Sequence, residues 1–148
     1  MQEPLTAPYV LEYTYRRATG PVIGRFLGAL TERRILGART ADGRVIVPAS
    51  EWDPTDGEPT TELVDVADVG TVVGFTFVES PRKSHLRTTP FAFVLVKLDG
   101  ADTALLHLAD ADSHASLRKG MRVRARWATE RVGAITDIEA FAPIEVQP

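Results

Sequence analysis

Apolar residues recur at helical spacing just after the first proline-glycine break in the chain. After Gly20 and Pro21, apolar residues recur three or four positions apart, at Val22, Ile23, Phe26, Leu27 and Leu30. This spacing predicts one amphipathic helix over residues 21–33, with proline suited to its first position. The preceding stretch "YVLEYTYRR" alternates only weakly, and predicts either an extended arm or an edge strand.

A hairpin and an irregular segment follow the predicted helix. In "ILGARTADGRVIVPA", apolar and polar residues alternate on both sides of Asp42-Gly43, a dipeptide typical of a tight hairpin turn. Residues 48–62 contain three prolines and show no periodicity. We therefore predict a loop or a small irregular module there.

Five apolar segments in the second half of the chain predict strands. They cover residues 69–79, 90–98, 103–109, 121–127 and 134–141. The segment "DADSHASLRKG" between the third and fourth is long enough for a short helix. Five strands with a helix after the third are typical of an OB-fold barrel.

Composition narrows the class of protein. The chain has 148 residues, of which 44% are hydrophobic, and a net charge of −3. These values fit a globular protein and argue mildly against a dedicated nucleic-acid binder. The sequence contains no cysteine, which excludes disulfides and thiolate metal sites. No apolar run reaches the roughly 20 residues of a membrane span and no signal-peptide pattern is visible, so we expect a cytoplasmic protein.

The histidines do not predict catalysis. His107 lies within an apolar strand, whereas His85 and His114 lie in polar loops, and no Ser–His–Asp or Glu–His grouping stands out in the sequence. We interpret all three as packed or solvated side chains. Nothing in the sequence requires the chain to be an enzyme on its own.

Two groups of basic residues allow alternative interpretations. Arg122, Arg124 and Arg126 alternate with apolar residues, and therefore form either the solvent face of a strand or a stripe that contacts phosphates or an acidic partner. The loop "PRKSHLR" carries Arg82, Lys83 and Arg87, which either are solvated or hold the phosphates of a ligand such as coenzyme A.

Three aspartates lie on adjacent turns. Asp42 precedes Gly43, and Asp53 and Asp56 have the spacing of a metal-binding knuckle. Carboxylates on neighbouring loops are suited to a hard cation such as calcium. Ordinary turn chemistry is the alternative, because aspartate side chains accept hydrogen bonds from nearby backbone amides.

Taken in order, five segments resemble a known family. They are "GRFLGALTERRILGAR", "DGRVIVPASEWDPTDG", "DVGTVVGFTFVE", "PFAFVLVKLDGADTALLHLADA" and "GMRVRARWA". The chain resembles the small acyl-CoA-associated proteins that join an N-terminal helix, a rubredoxin-like zinc ribbon and a C-terminal OB-fold, long catalogued as a domain of unknown function.

The resemblance implies a mainly β fold in three parts. These are an arm and helix over residues 1–34, a degenerate ribbon without cysteines over 35–62, and a five-stranded OB-fold over 63–148. In the family's ribbon pattern, Asp42 stands at the second cysteine position, with Arg39 or Thr40 at the first, and Asp53 and Asp56 at the third and fourth. Because carboxylates replace zinc poorly among thiolate ligands, we expect a metal-free ribbon ordered by packing, with no cofactor bound by this chain.

The family also implies a function. Its members are non-catalytic partners of thiolase-superfamily enzymes, and this cysteine-less version looks like those found with actinobacterial steroid side-chain aldolases. The implied partner is a lipid-transfer-protein-like thiolase in a hetero-oligomer, which cleaves a steroid side-chain acyl-CoA by a retro-aldol reaction. We expect docking through residues 9–30 and the ribbon, with Tyr13, Tyr15, Phe26 and Trp52 as anchors. Core packing is the alternative for these aromatic residues.

Two other functions stay open from the sequence. One is a free-standing acyl-CoA or coenzyme A binder that uses Arg82, Lys83 and Arg87. The other is a single-stranded nucleic-acid binder, which would need exposed aromatic residues beside a basic groove. The phenylalanines of the predicted strands lie in apolar runs that favour a core, so we expect no nucleic-acid or membrane partner.

Overall fold

The computed structural model describes residues 4–144. The first half holds one helix and three short strands: α1 (Pro21–Leu30), β1 (Ile35–Arg39), β2 (Val45–Ile46) and β3 (Glu62–Val66). The second half holds five longer strands: β4 (Val69–Val78), β5 (Phe91–Leu98), β6 (Leu105–Ala109), β7 (Arg122–Trp127) and β8 (Ile138–Pro143). Short 3₁₀ turns at His114–Ser116 and Ile135–Asp137 precede β7 and β8.

Helix α1 starts where the sequence predicts and ends three residues earlier than predicted. Gly20, with φ 83°, is the residue before its first turn, and Pro21 begins it. The last helical residue is Leu30, and Arg33 adopts a left-handed φ of 59°. A left-handed residue ends a helix because it turns the backbone out of the helical path. Phe26 and Leu30 are buried on the face that packs against β1.

A three-stranded antiparallel sheet in the order β2-β1-β3 forms the ribbon-like module. The predicted hairpin turn at Asp42-Gly43 joins β1 to β2, and Gly43 supplies the positive φ of 89° that the turn requires. Strand β3 pairs with β1 from Ile35 opposite Val66 to Arg39 opposite Glu62. The module therefore extends to residue 66, past the boundary that we placed between residues 62 and 63.

Strands β4 to β8 close into a barrel in the order β4-β5-β6-β8-β7. All pairs are antiparallel except β6 with β8, which meet in parallel at Ala109 and Phe141. This is the OB-fold arrangement, so the predicted fold class is confirmed. Alternate residues of β5 fill the barrel, namely Ala92, Val94, Val96 and Leu98. Only a 3₁₀ turn occupies the place of the helix predicted between the third and fourth barrel strands.

The ribbon-like sheet is joined to the barrel along β2. The backbone N–H of Val45 donates to the Asp102 carboxylate at 2.8 Å, and the Asp102 N–H donates back to the Val45 carbonyl at 2.8 Å. Thr103 accepts from the Val47 N–H at 2.8 Å and donates its hydroxyl to the Val47 carbonyl at 3.0 Å. Buried side chains of helix, sheet and barrel form one continuous core. The three elements are therefore one packed unit.

A second contact fixes the end of α1 to the barrel. Arg131 donates from Nε to the Thr31 carbonyl at 2.8 Å, and from a terminal nitrogen to the Ala128 carbonyl at 2.7 Å. The buried Asp137 carboxylate orders the same loop by accepting from the backbone N–H groups of Val132 at 3.0 Å and Gly133 at 2.8 Å. The C-terminal end of the helix is thus held by a residue that is distant in sequence.

Candidate functional site

The N-terminal arm, residues 4–19, is apolar and uncovered. It forms no helix or strand, which supports the predicted extended arm over the alternative edge strand. Its large side chains are exposed by 69% to 103%: Leu5, Tyr9, Val10, Leu11, Tyr13 and Tyr15. Contiguous exposed apolar surface on a soluble protein is typical of an interaction site. The arm is therefore the first part of a candidate docking surface.

The larger side chains of the arm recur at every second position. Tyr9, Leu11, Tyr13 and Tyr15 would share one side of an extended backbone. The rings of Tyr13 and Tyr15 do lie together, with their centroids 6.1 Å apart. Two of the four predicted anchors thus form one aromatic pair on a free segment.

Trp52 lies on the loop between β2 and β3, here called the ribbon loop, near the junction of the arm and α1. Its side chain is 56% exposed, and its backbone forms a bridge with Pro59. The neighbouring Glu51 carboxylate accepts from the Val22 N–H at 3.5 Å. It also approaches Gly20 so closely that a Cβ there would lie 2.1 Å from its Oε1. Because Gly20 has no Cβ, the Glu51 side chain can approach the first turn of the helix. Trp52 follows Glu51 in the chain and therefore lies near the junction of the arm and α1.

Phe26 does not belong to this surface. It is 2% exposed and packs in the core beneath α1, so its assignment as an interface anchor is corrected to the alternative of core packing. The burial of Phe26 could have been predicted from the sequence, because Phe26 continues the apolar stripe of Val22 and Leu30 at helical spacing. Ile23, on the same helix, is 40% exposed and is the apolar residue that α1 presents. The contact between Glu51 and Gly20 joins distant segments and had no local signal.

The three aspartates of the ribbon are engaged in turns and ion pairs. Asp42 accepts from the Thr40 hydroxyl and from Arg44 Nε at 2.8 Å. These contacts, the threonine first and the arginine second, lower the pKa of Asp42 to about 2. Asp53 is buried, with 3% exposed, and accepts from Arg44 Nη2 at 2.6 Å.

The donor set does not fit a metal ion. The second oxygen of Asp53 accepts from the Thr55 N–H, and Asp56 accepts from the Glu58 N–H, both at 2.9 Å. These are the local backbone bonds of aspartate turns. Within residues 4–144 no group of three or more histidine, aspartate or glutamate side chains is placed to hold a metal. The contacts favour turn chemistry over the calcium alternative, and the metal-free ribbon stays a prediction.

An apolar groove of about 540 Å³ opens on the outside of the barrel, where β6 and β8 diverge. Its walls are mainly apolar side chains, contributed by Leu86, Phe93, Leu106, Leu108, Ile135 and Ile138. Arg87 lies at the groove and bonds to Asp110 at 3.4 Å. The exposed Arg82 and Lys83 do not line the groove, so the structure brings one of the three predicted phosphate-binding residues to it.

The arginine stripe on β7 is neutralised by neighbouring carboxylates. Arg122 bonds to Asp99 at 2.8 Å, and Arg126 bonds to Asp110 at 2.7 Å and also to Glu139. Hydrogen bonds from these arginines lower the pKa of both Asp99 and Asp110. Arg124 lies 3.9 Å from Asp68. The stripe therefore fits the solvent-face interpretation better than phosphate binding.

His107 is a packed side chain. Burial lowers its pKa, which favours the neutral ring. Nδ1 accepts from the Leu108 N–H at 2.8 Å, so Nε2 carries the proton and donates to the Ile135 carbonyl at 3.2 Å. The ring meets Phe141 edge-on, with centroids 5.8 Å apart. Both nitrogens are used in structural bonds, which confirms the sequence interpretation for this histidine.

A helix, a three-stranded ribbon-like sheet and a five-stranded OB-fold, packed as one unit, define the class of this protein. Residues 63–128 match the family described as the C-terminal OB-fold domain of ChsH2. The family resemblance predicted from the sequence is confirmed for this region.

Two solved structures share the fold. A chain of the "Ltp2-ChsH2(DUF35) aldolase" is 22% identical, with 86% of this chain and 98% of that chain covered and a TM-score of 0.62. A DUF35 protein of unknown function from Sulfolobus solfataricus is 17% identical, with 68% and 74% covered and a TM-score of 0.54. At these identities the likeness concerns the fold. None of the curated proteins compared with the chain matches it.

Proposed function

We propose that this chain is a non-catalytic partner subunit of a thiolase-superfamily, lipid-transfer-protein-like enzyme that acts on acyl-CoA. The observation that carries the proposal is the uncovered apolar arm beside the exposed Trp52. The fold shared with a chain of the Ltp2-ChsH2(DUF35) aldolase supports it, because that protein's name describes an assembly of two components.

The arm supplies a physical reason for association. Full burial of one large aliphatic side chain contributes roughly 1.5–3 kcal/mol, and the arm holds several such side chains in solvent. Tyrosine and tryptophan are also common among the residues that dominate binding energy. Tyr13, Tyr15 and Trp52 are the anchors of the proposed interface. Ordering the arm costs conformational entropy, so the gain must exceed that cost.

The chemistry is assigned to the partner. We propose retro-aldol cleavage of a steroid side-chain acyl-CoA, carried out by thiolase-like subunits in a cytoplasmic hetero-oligomer. The buried and fully bonded His107 fits this division, since it offers no free nitrogen for proton transfer. None of the helices in the described residues is long and apolar enough to cross a bilayer.

The groove supports a second candidate function, contact with the acyl-CoA itself. Apolar walls suit an acyl group, and Arg87 stands at the groove with only a 3.4 Å bond to Asp110. Arg82 and Lys83 lie on the same exposed loop, where they would meet the phosphates of coenzyme A outside the groove. This arrangement serves either a free-standing binder or a subunit that completes the partner's substrate site.

Co-expression with the thiolase-superfamily aldolase subunit of the same genome tests the main proposal. We expect a stable complex on size-exclusion chromatography, and retro-aldol activity in the complex that this chain lacks alone. A chain that stays separate from every such subunit at micromolar concentrations would overturn the proposal.

Calorimetry separates the second candidate from the first. Acyl-CoA is titrated into the isolated chain, into Arg87→Ala, and into Arg118→Ala, whose exposed arginine does not line the groove. Binding that Arg87→Ala weakens at least fivefold, and Arg118→Ala leaves unchanged, would support the groove. Absence of binding to the isolated chain would restrict acyl-CoA contact to the complex.

A further inference from the structure

Arg44 links the two turns of the ribbon-like module. Its Nε donates to Asp42 in the first turn at 2.8 Å, and its Nη2 donates to Asp53 in the second turn at 2.6 Å. In the family pattern these aspartates stand where cysteines of opposite zinc knuckles would be. One guanidinium therefore contacts one ligand position from each turn.

Asp53 depends on this contact more than an exposed aspartate would. Its side chain is 3% exposed, and a buried carboxylate is costly unless a positive charge and hydrogen bonds compensate it. Arg44 supplies the charge. Asp53 also organises the second turn, since its Oδ1 accepts from the Thr55 N–H and its carbonyl accepts from the Gly57 N–H, both at 2.9 Å.

We infer that the Arg44 guanidinium takes the place of the metal ion, as the cation that holds the two knuckles of the ribbon together. A zinc ribbon brings its two turns together through one central cation with anionic ligands. Here the anions are carboxylates, and a planar guanidinium with several fixed donors matches them better than a tetrahedral metal would. The cysteine-less sequence therefore keeps a cationic centre and supplies it from its own side chain.

The chain offers a matched comparison in Arg34. Its Nε and Nη2 donate to the two oxygens of Asp65 at 2.9 and 2.8 Å. Arg34 therefore makes two charged hydrogen bonds to one carboxylate, whereas Arg44 makes one to each of two carboxylates. Both side chains of this pair are at least half exposed, at 50% and 61%, whereas Asp53 is buried. Exposed pairs contribute little to stability. The burial of Asp53 thus predicts different effects for the two arginines.

Hydrogen exchange of backbone amides tests the inference in the full chain. In Arg44→Ala, exchange of the Thr55 and Gly57 amides should accelerate at least tenfold, and in Arg44→Lys it should accelerate less, because lysine keeps the charge and loses the fork. In Arg34→Ala these amides should stay within twofold of wild type. The Val94 amide inside the barrel reports global unfolding in all three variants. If Arg44→Ala does not fold, Arg44→Lys alone provides the comparison with Arg34→Ala.

Metal analysis supplies the second measurement. We expect substoichiometric zinc in the purified protein, and unchanged exchange at Thr55 and Gly57 when a chelator or zinc is added. Stoichiometric zinc, loosening of these amides by the chelator, or equal effects of the Arg44 and Arg34 substitutions would overturn it. None of these outcomes depends on a partner protein, so the result is separate from the proposed function.

Discussion

The arm and the barrel contain the same kinds of residue and use them in opposite ways. Phe91 and Phe141 are 1% and 0% exposed, whereas Tyr13 and Tyr15 are 72% and 75% exposed. Each barrel strand pairs with two neighbours, and its inward side chains meet those of the facing strands. Within residues 4–144 no strand pairs with the arm, and residues 4–19 are exposed. The aromatic residues of the barrel therefore stabilise this chain, whereas those of the arm are available to another one.

A substitution in the barrel core should lower the stability of the chain the most. Phe141→Ala removes a ring at 0% exposure that packs against His107, and it leaves a cavity in the core. Substitutions of this type cost about 3–5 kcal/mol of unfolding free energy. Denaturant unfolding measures the loss, with Tyr15→Ala as the control, which should change stability by less than about 0.5 kcal/mol. Equal losses for the two variants would remove the distinction between arm and barrel.

A smaller effect is expected where the ribbon-like sheet meets the barrel. Thr103→Val keeps the side-chain shape and removes both bonds of the hydroxyl with the backbone of Val47, which is 2% exposed. An unsatisfied buried N–H costs roughly 1–3 kcal/mol. Thr88→Val, at an exposed loop position, is the matched control. Unchanged denaturant stability of the Thr103 variant would show that the two Thr103 bonds do not help to hold the sheet on the barrel.

Acid should loosen the ribbon-like module at one identifiable group. The Thr40 hydroxyl and then Arg44 lower the pKa of Asp42 to about 2, below its ordinary value of 3.8. Because the folded-state pKa is depressed, the contribution of Asp42 is present above pH 3.8 and is lost as the pH falls toward 2. Asp42→Asn should remove this part of the pH dependence. Carboxylate titration by NMR checks the pKa directly, and an ordinary value would contradict the prediction.

The smallest expected effect on stability comes from the arm. Removal of residues 1–19 should change the free energy of unfolding by less than about 0.5 kcal/mol, because the large apolar side chains described there lie in solvent. Thermal and denaturant unfolding of the shortened chain measure this. A loss of 2 kcal/mol or more would mean that the arm packs on its own body in solution.

The barrel was predictable because its strands follow a period of two and end at clear turns. Each predicted barrel strand overlaps an observed one, and β4 was placed to within one residue at its end. The helix was predicted too long because the left-handed Arg33, unlike a glycine, gives no stop signal. Strand β3 was not predicted, since its pairing with β1 joins segments on either side of a proline-rich loop and has no local signal in the sequence.

The candidate site was only partly predictable. Exposure of Tyr13, Tyr15 and Trp52 agrees with their selection as anchors, whereas Phe26 was assigned to the surface although its spacing already placed it on the buried face. The contacts of Glu51 with Val22 and of Arg44 with Asp53 depend on how distant turns meet. The groove depends on the divergence of β6 and β8, which composition does not reveal.

Affinity for the thiolase-like subunit shows whether the arm docks the partner. The wild-type chain, the double variant Tyr13→Ala/Tyr15→Ala, and Val132→Ala are titrated against that subunit by calorimetry. Val132 is 81% exposed on the loop between β7 and β8 and does not line the groove, which makes it a control matched in exposure and distant in role. We predict that the tyrosine variant weakens binding at least thirtyfold, about 2 kcal/mol, with unchanged stability, as expected for a pair of interface anchors. Wild-type affinity in the tyrosine variant would contradict the claim that the arm docks the partner.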